Sequence, residues 1–228
     1  MHMMKDTGQP VRSRVLVFTD WYLPGFRAGG PVTSIANIVQ HFRGEIDFCI
    51  LTTNCEYGET RPYEGVAYDQ WVERGPGLQV FYSSSAYRGI ARLRDTALGA
   101  GCDTWYITGV YSPRFSILPL LFARKVPGLR VVVAPRGMLS AHAIGVKRLK
   151  KMLFLTVARA VRLYKGVLFQ ATNSREADDI RALFPRNEVI IAPNLPRPVT
   201  TGGPLQGKKE PGSLKLAFVG RVAPEKNT

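Results

Sequence analysis

A chain of 228 residues that is 45% hydrophobic and 10% aromatic carries enough apolar surface to build a core, which excludes disorder as its dominant state. Three cysteines, Cys49, Cys55 and Cys102, are odd in number and form no CxxC pair; neither a disulfide framework nor a zinc site follows, and a reducing compartment is the simpler reading. The net charge of +14 is concentrated in one segment: no acidic residue lies between Asp103 and Glu176, where thirteen basic ones do, from Arg114 to Arg175.

Such a one-signed segment suits phosphate-rich partners (nucleic acid, anionic lipid or pyrophosphate compounds), or is simply a basic, soluble surface. The N-terminal "MHMMKDTGQPVRSR" lacks the apolar centre of a signal peptide. The longest apolar runs, "SILPLLFA" and "MLFLTVA", are too short to span a bilayer.

Along the chain, short apolar runs alternate with helical patterns. "RVLVFTD" (14–20) reads as a buried strand, and "VTSIANIVQHF" (32–42) repeats apolar residues on one helix face. "IDFCILTT" is a second strand. From Asn54 to Gly77 no clean period holds, and a long loop or lid is expected. "LQVFYS", "DTWYITG", "RVVVAPRG", "GVLFQATN" and "EVIIAPN" are further strands. Between them lie helices near 87–100, over "SILPLLFARKV", from about 144 to 165, and over "SREADDIRALF" with Ser174 as its N-cap. This alternation predicts an α/β fold, a doubly wound parallel sheet of about seven strand–helix units covered on both faces. After Asn194 the composition turns to Pro, Gly, Thr and Lys, so residues 1–194 read as one domain, 195–213 as a linker and 214–228 as the opening strand of another unit.

Ligands of such sheets bind outside the C-terminal strand ends. In "DWYLPGFRAGGPVTSI", Gly29 and Gly30 open a helix N-terminus whose free N–H groups and dipole attract phosphate, with Pro31 at a first helical position and Asp20 closing the strand. The spacing is neither GxGxxG nor a P-loop, and the pair also fits a tight turn. In "APRGMLSAHAIG", Arg136 can pair bidentately with phosphate or carboxylate and Gly137 allows close backbone approach. His142, the one histidine on this rim, is a candidate for proton transfer or for holding a hydroxyl, or else an exposed helix-start residue. In "VKRLKKMLFLTVARAVRLYK", Lys147, Arg148, Lys150, Lys151, Arg159, Arg162 and Lys165 are expected on one face. Leu149, Met152, Leu153, Val157, Ala160, Leu163 and Tyr164 are expected on the other, packed on the sheet. A basic face of this kind suits an anionic membrane surface, or is only solvated; nucleic acid is the weaker partner, since no nucleic-acid motif accompanies it. In "LKLAFVGRVAPEKNT", Arg221 and Lys226 would bring two cations to a strand end near a helix start, where a diphosphate could sit.

Taken in order, "DWYLPGFRAGGPVTSIANIV", "APRGMLSAHAI" with its basic helix, "QATNSREADDI", "IIAPN" and "FVGRVAPEKN" resemble family 4 retaining glycosyltransferases of the GT-B fold, over roughly residues 14–227. The resemblance implies a Rossmann-like acceptor domain followed by the start of a donor domain. It implies metal-independent transfer of a sugar from a nucleotide sugar, such as a UDP- or GDP-sugar, to a lipid-linked or polysaccharide acceptor, with no further cofactor. Gly29 and Gly30 would lie near the donor diphosphate, on which Arg221 and Lys226 match the family's paired cations. Many relatives carry a histidine at the strand end before the basic helix; Arg136 stands there instead, with His142 nearby. The family's paired glutamates, which hold sugar and ribose, lie in a half beyond these residues, so the expectation is an acceptor half that is inactive alone. Its expected place is the cytosolic face of a membrane, as a peripheral protein. The alternative is a non-catalytic basic module that binds anionic lipid or nucleic acid.

Overall fold

The computed structural model describes residues 12–87, 89–145 and 148–198. The strand β1 (Ser13–Phe18) leads through α1 (Gly30–His41) into β2 (Ile46–Thr53), a hairpin of β3 (Trp71–Gly75) and β4 (Leu78–Ser83), and α2 (Ile90–Gly99). Then follow β5 (Thr104–Thr108), a π-helical turn (Pro113–Ile117) running into α3 (Leu118–Ala123), and β6 (Arg130–Ala134). The chain continues through α4 (Ala141–Gly145), α5 (Arg148–Ala160), β7 (Leu168–Ala171), α6 (Ser174–Leu183) and β8 (Val189–Ile191). The strands form one sheet in the order β3-β4-β2-β1-β5-β6-β7-β8, every pairing parallel except β3 with β4. The α/β, doubly wound, Rossmann-like architecture expected from the alternation is present.

Strand alternation divides the core. Leu16 and Phe18 of β1, Trp105 and Ile107 of β5, Val131 and Val133 of β6 and Phe169 of β7 pack with Leu93, Leu120, Leu155, Ala158, Ala177 and Ile180 from the helices. Val17, Ile50 and Val80 point the other way, onto Ile35 and Val39 of α1 and onto Tyr63. The two faces are covered unequally, the first cluster holding 27 buried residues and the second eight. Handedness explains this. Right-handed crossovers from β4 to β5 and on to β8 all step in one direction and deposit their helices on one face, whereas β1 to β2 steps the other way and places α1 alone on the opposite face.

Residues 54–77 are not one long loop. They contain β3, a half-exposed edge strand with a register shift between Glu73 and Gly75, too short and too polar to show a period of two. The turn into β4 requires glycine at Gly77, where φ is +70° and a Cβ would lie 2.7 Å from an Asp47 carboxylate oxygen. The first helical residue of α1 is Gly30, one before Pro31. The N-cap of α6 is Asn173, one before Ser174, with its side chain accepting from the Glu176 amide.

Beyond β8 the chain doubles back along the polar side of α1. Ser34 Oγ donates to Asn194 Oδ1 at 3.0 Å, Asn37 Nδ2 donates to the Leu195 carbonyl at 2.8 Å, and His41 Nε2 bonds the Pro196 carbonyl at 2.9 Å. Their spacing puts the three side chains on one helix stripe. The start of the expected linker is thus pinned to the domain. Residues 199–228, with Arg221 and Lys226, lie outside the described residues, as does Lys147.

Candidate functional site

The strand order reverses direction between β1 and β5, so the loops after these two strands flank the crevice in which open α/β sheets place ligands. Asp20 and Ser112 meet across it: Ser112 Oγ donates to Asp20 Oδ1 at 2.7 Å. Burial pushes the Asp20 carboxyl above its ordinary value, and the Ser112 bond opposes that in part. Asp20 is held from below, its carbonyl accepting from Thr53 Oγ1 at 2.6 Å. Ser112 Oγ also accepts from the Phe115 amide at 3.1 Å, which caps the π-helical turn.

The β1–α1 loop is clamped by β4 and by the segment after β2. Tyr82 Oη donates to the Leu23 carbonyl at 2.6 Å, and the Glu56 carboxylate accepts from the amides of Phe26 (2.8 Å) and Tyr57 (2.7 Å). Burial raises the Glu56 pKa, but amide bonds from Phe26, Tyr57 and Arg27 outweigh it and hold the carboxyl below its ordinary value. At the end of this loop Gly29 adopts φ 69° and ψ −120°, a region that essentially only glycine occupies. No side chain among the described residues caps α1 and its first turn holds no acidic residue, which leaves the positive end of the dipole open among them. Apart from the chain on either side, no described residue lies within 4 Å of where a Cβ would sit on Gly29 or Gly30.

The loop after β6 turns through two left-handed residues, Arg136 (φ 55°) and Gly137 (φ 77°). The structure spends Arg136 on the protein itself. Its guanidinium donates to Tyr106 Oη at 2.7 Å and to Asn194 Oδ1, while its Nε is buried with no partner among the described residues. Tyr106 Oη in turn donates to Gln170 Oε1 at 2.6 Å, and Gln170 Nε2 to the Ala192 carbonyl at 2.9 Å. The Gly137 amide donates to Glu176 Oε1 at 2.6 Å. Glu176 Oε2 accepts from the Thr172 amide (2.8 Å) and hydroxyl (2.6 Å). This buried carboxylate joins the ends of β6 and β7 and was not singled out among the candidate residues, although "NSRE" carries the N-cap-to-N3 spacing that signals it. His142 is exposed on the five-residue α4, with no hydrogen bond to Asp20 or Arg136 among the described residues.

On α5 the expected apolar face does not meet the sheet, although Leu163 and Tyr164, which lie beyond the helix end at Ala160, are buried as expected. Leu155 and Ala158 are buried against the sheet, with Phe154 edge-on to Tyr111. Leu149 (87% exposed), Leu153 (67%), Val157 (52%) and Met152 (41%) point to solvent. The helix has two apolar stripes, and the small Ala158 lets the Leu155 stripe approach the strands. Lys151, assigned to the basic face, points inward: its Nζ donates to the Ala143 carbonyl at 2.5 Å and lies 5.3 Å from the Tyr111 ring centre. Arg148 and Lys150 remain exposed beside Leu149 and Leu153. No helix among the described residues is long and apolar enough to cross a membrane, and no group of three or more His, Cys, Asp or Glu residues among them could hold a metal ion.

No protein-family model matches this chain, and no curated protein matches it.

Proposed function

We propose that the chain is the acceptor-binding half of a retaining, nucleotide-sugar-dependent glycosyltransferase of the GT-B type, working at an anionic membrane surface. The observation that carries this reading is the switch-point crevice, where a half-buried, serine-bonded carboxylate, Asp20, lies in the loop that ends at the glycine-opened N-terminus of α1. A sugar transfer needs an anchor for the acceptor hydroxyl and positive potential for the departing nucleotide diphosphate. Asp20 supplies the first and the α1 terminus at Gly29 and Gly30 contributes to the second, with Arg221 and Lys226 as the partner cations. Arg136 acts through position: it holds Tyr106 and Asn194 and so shapes the rim on which Gly137 sits. His142, exposed on α4, is the candidate for proton relay to solvent. The ridge of Leu149 and Leu153 between Arg148 and Lys150 supports docking on the cytosolic face of a membrane, where apolar burial and charge add.

Backbone amide resonances test the diphosphate site. Titration with uridine or guanosine diphosphate is expected to shift the Gly30 and Val32 amides, and the nucleosides alone are expected to leave them in place. Equal shifts with nucleoside, or none with diphosphate, would remove the basis for this reading.

A further inference from the structure

We propose that a second site, at the β7–β8 edge of the sheet, binds a phosphorylated amphiphile, that is, a phosphoryl group joined to an apolar chain. A cavity of about 630 Å³ lies there between the C-terminal ends of α5 and α6, within the range of small-molecule sites. Gly166 and Asn187, in its wall, come just before β7 and β8, so it opens at the N-terminal strand ends, away from Asp20 and Gly29. Its existence does not depend on the transferase reading.

The wall carries four cations, Arg159, Arg162, Lys165 and Arg186, and no acidic residue. None of the four is in an ion pair among the described residues. Carbonyls that would otherwise occupy them are already taken. Arg124 donates to the carbonyls of Val161 (2.6 Å) and Arg162 (2.7 Å), and Asn187 Nδ2 to those of Tyr164 (2.6 Å) and Val167 (2.9 Å). Arg159 spends its Nε on the Leu183 carbonyl and lies over the Phe184 ring at 5.9 Å. The side chains of Lys165 and Arg186 are exposed and make no hydrogen bond among the described residues. Arg162 holds the left-handed region (φ 52°), a conformation that persists in a non-glycine residue only when its surroundings impose it; here the Arg124 bond to its carbonyl does so.

The floor is apolar. Tyr164 and Phe184 are buried there with their rings 4.9 Å apart, and the Tyr164 hydroxyl is turned away onto the Val110 carbonyl. A cationic rim over an aromatic floor recognises a headgroup and its chain together; a bare anion would leave the floor wet, and a neutral chain would leave the cations unused.

Calorimetry on the whole chain separates these cases, using dihexanoyl phosphatidic acid below its micellar concentration, dihexanoyl phosphatidylcholine and inorganic phosphate. Phosphatidic acid is expected to bind at least about tenfold tighter than either of the others. The double substitution Lys165→Glu/Arg186→Glu is expected to weaken it by about tenfold or more. Arg61→Glu, at an exposed residue remote in sequence from the cavity wall, is expected to leave it unchanged. Without any variant, phosphatidic acid should shift the amides of Gly166 and Asn187 but not that of Gly30. Equal binding of inorganic phosphate reduces the cavity to a simple anion site. Equal binding of phosphatidylcholine reduces it to an apolar patch. Binding unaffected by the double substitution, or shifts confined to other residues, places the ligand elsewhere. Each of these outcomes overturns the proposal.

Discussion

Replacing Glu176 tests how the rim is held together. Its carboxylate is 6% exposed and takes hydrogen bonds from the Gly137 amide, the Thr172 amide and the Thr172 hydroxyl. In Glu176→Ala the hydroxyl can rotate to another acceptor, but the two amides lose theirs. Each buried orphan donor costs about 1–3 kcal/mol, so about 3 kcal/mol of stability is expected to go. Glu176→Gln keeps the shape but turns an NH₂ group toward one of the donors, for a loss of about 2 kcal/mol. With a urea m-value of about 2 kcal/mol/M, the midpoints should fall by about 1.5 M and about 1 M, with m unchanged. Amide exchange at Gly137 should speed up in step, because that N–H has lost its acceptor. A Gln variant within about 0.5 kcal/mol of the parent would refute the reasoning, since it would mean that these donors do not depend on a carboxylate.

The remaining expectations concern separate parts of the molecule. The folded-state pKa of Asp20 lies above its unfolded value, so the stability from this group is present at low pH and is lost as pH rises through the raised value. Asp20→Asn keeps an acceptor for Ser112 and should therefore gain on the parent as pH rises from below the ordinary carboxyl value; a pH-independent gap in urea midpoint would contradict this. Gly29→Ala should cost about 1–3 kcal/mol by thermal unfolding from backbone strain alone, since no other described residue lies within 4 Å of where the methyl group would go. Asn37→Ala should cost about 1 kcal/mol and accelerate protease cleavage at 195–198, because it releases the Leu195 carbonyl. Leu149→Glu/Leu153→Glu should leave the unfolding midpoint within about 0.5 kcal/mol of the parent, both side chains being mostly exposed, yet abolish co-sedimentation with vesicles containing anionic phospholipid. Retained sedimentation would remove α5 from the membrane reading.

Several features were legible in the residues alone. Apolar runs such as "RVLVF" and "RVVVA", separated by helical periods, dictated a parallel α/β sheet, because a strand buried on both faces must be apolar at every position. "GG" before Pro31 marked an open helix start, because only glycine tolerates the backbone found at Gly29. Other features belong to the tertiary structure. Periodicity told of two faces on α5 but not of which one meets the sheet; the fit of Leu155 and Ala158 against the strands settled that, and it turned Leu149 and Leu153 outward. Arg136 reads as a ligand-facing cation until the chain after β8 returns to lay Asn194 against it, 58 residues away. The bond between Ser112 and Asp20 spans 92 residues, and the cationic cavity joins the ends of α5 and α6. Local sequence encodes period, turn and cap, since these depend on neighbours a few residues apart. Which charges meet, and which are left without a partner, depends on residues brought together only when the sheet closes over its core.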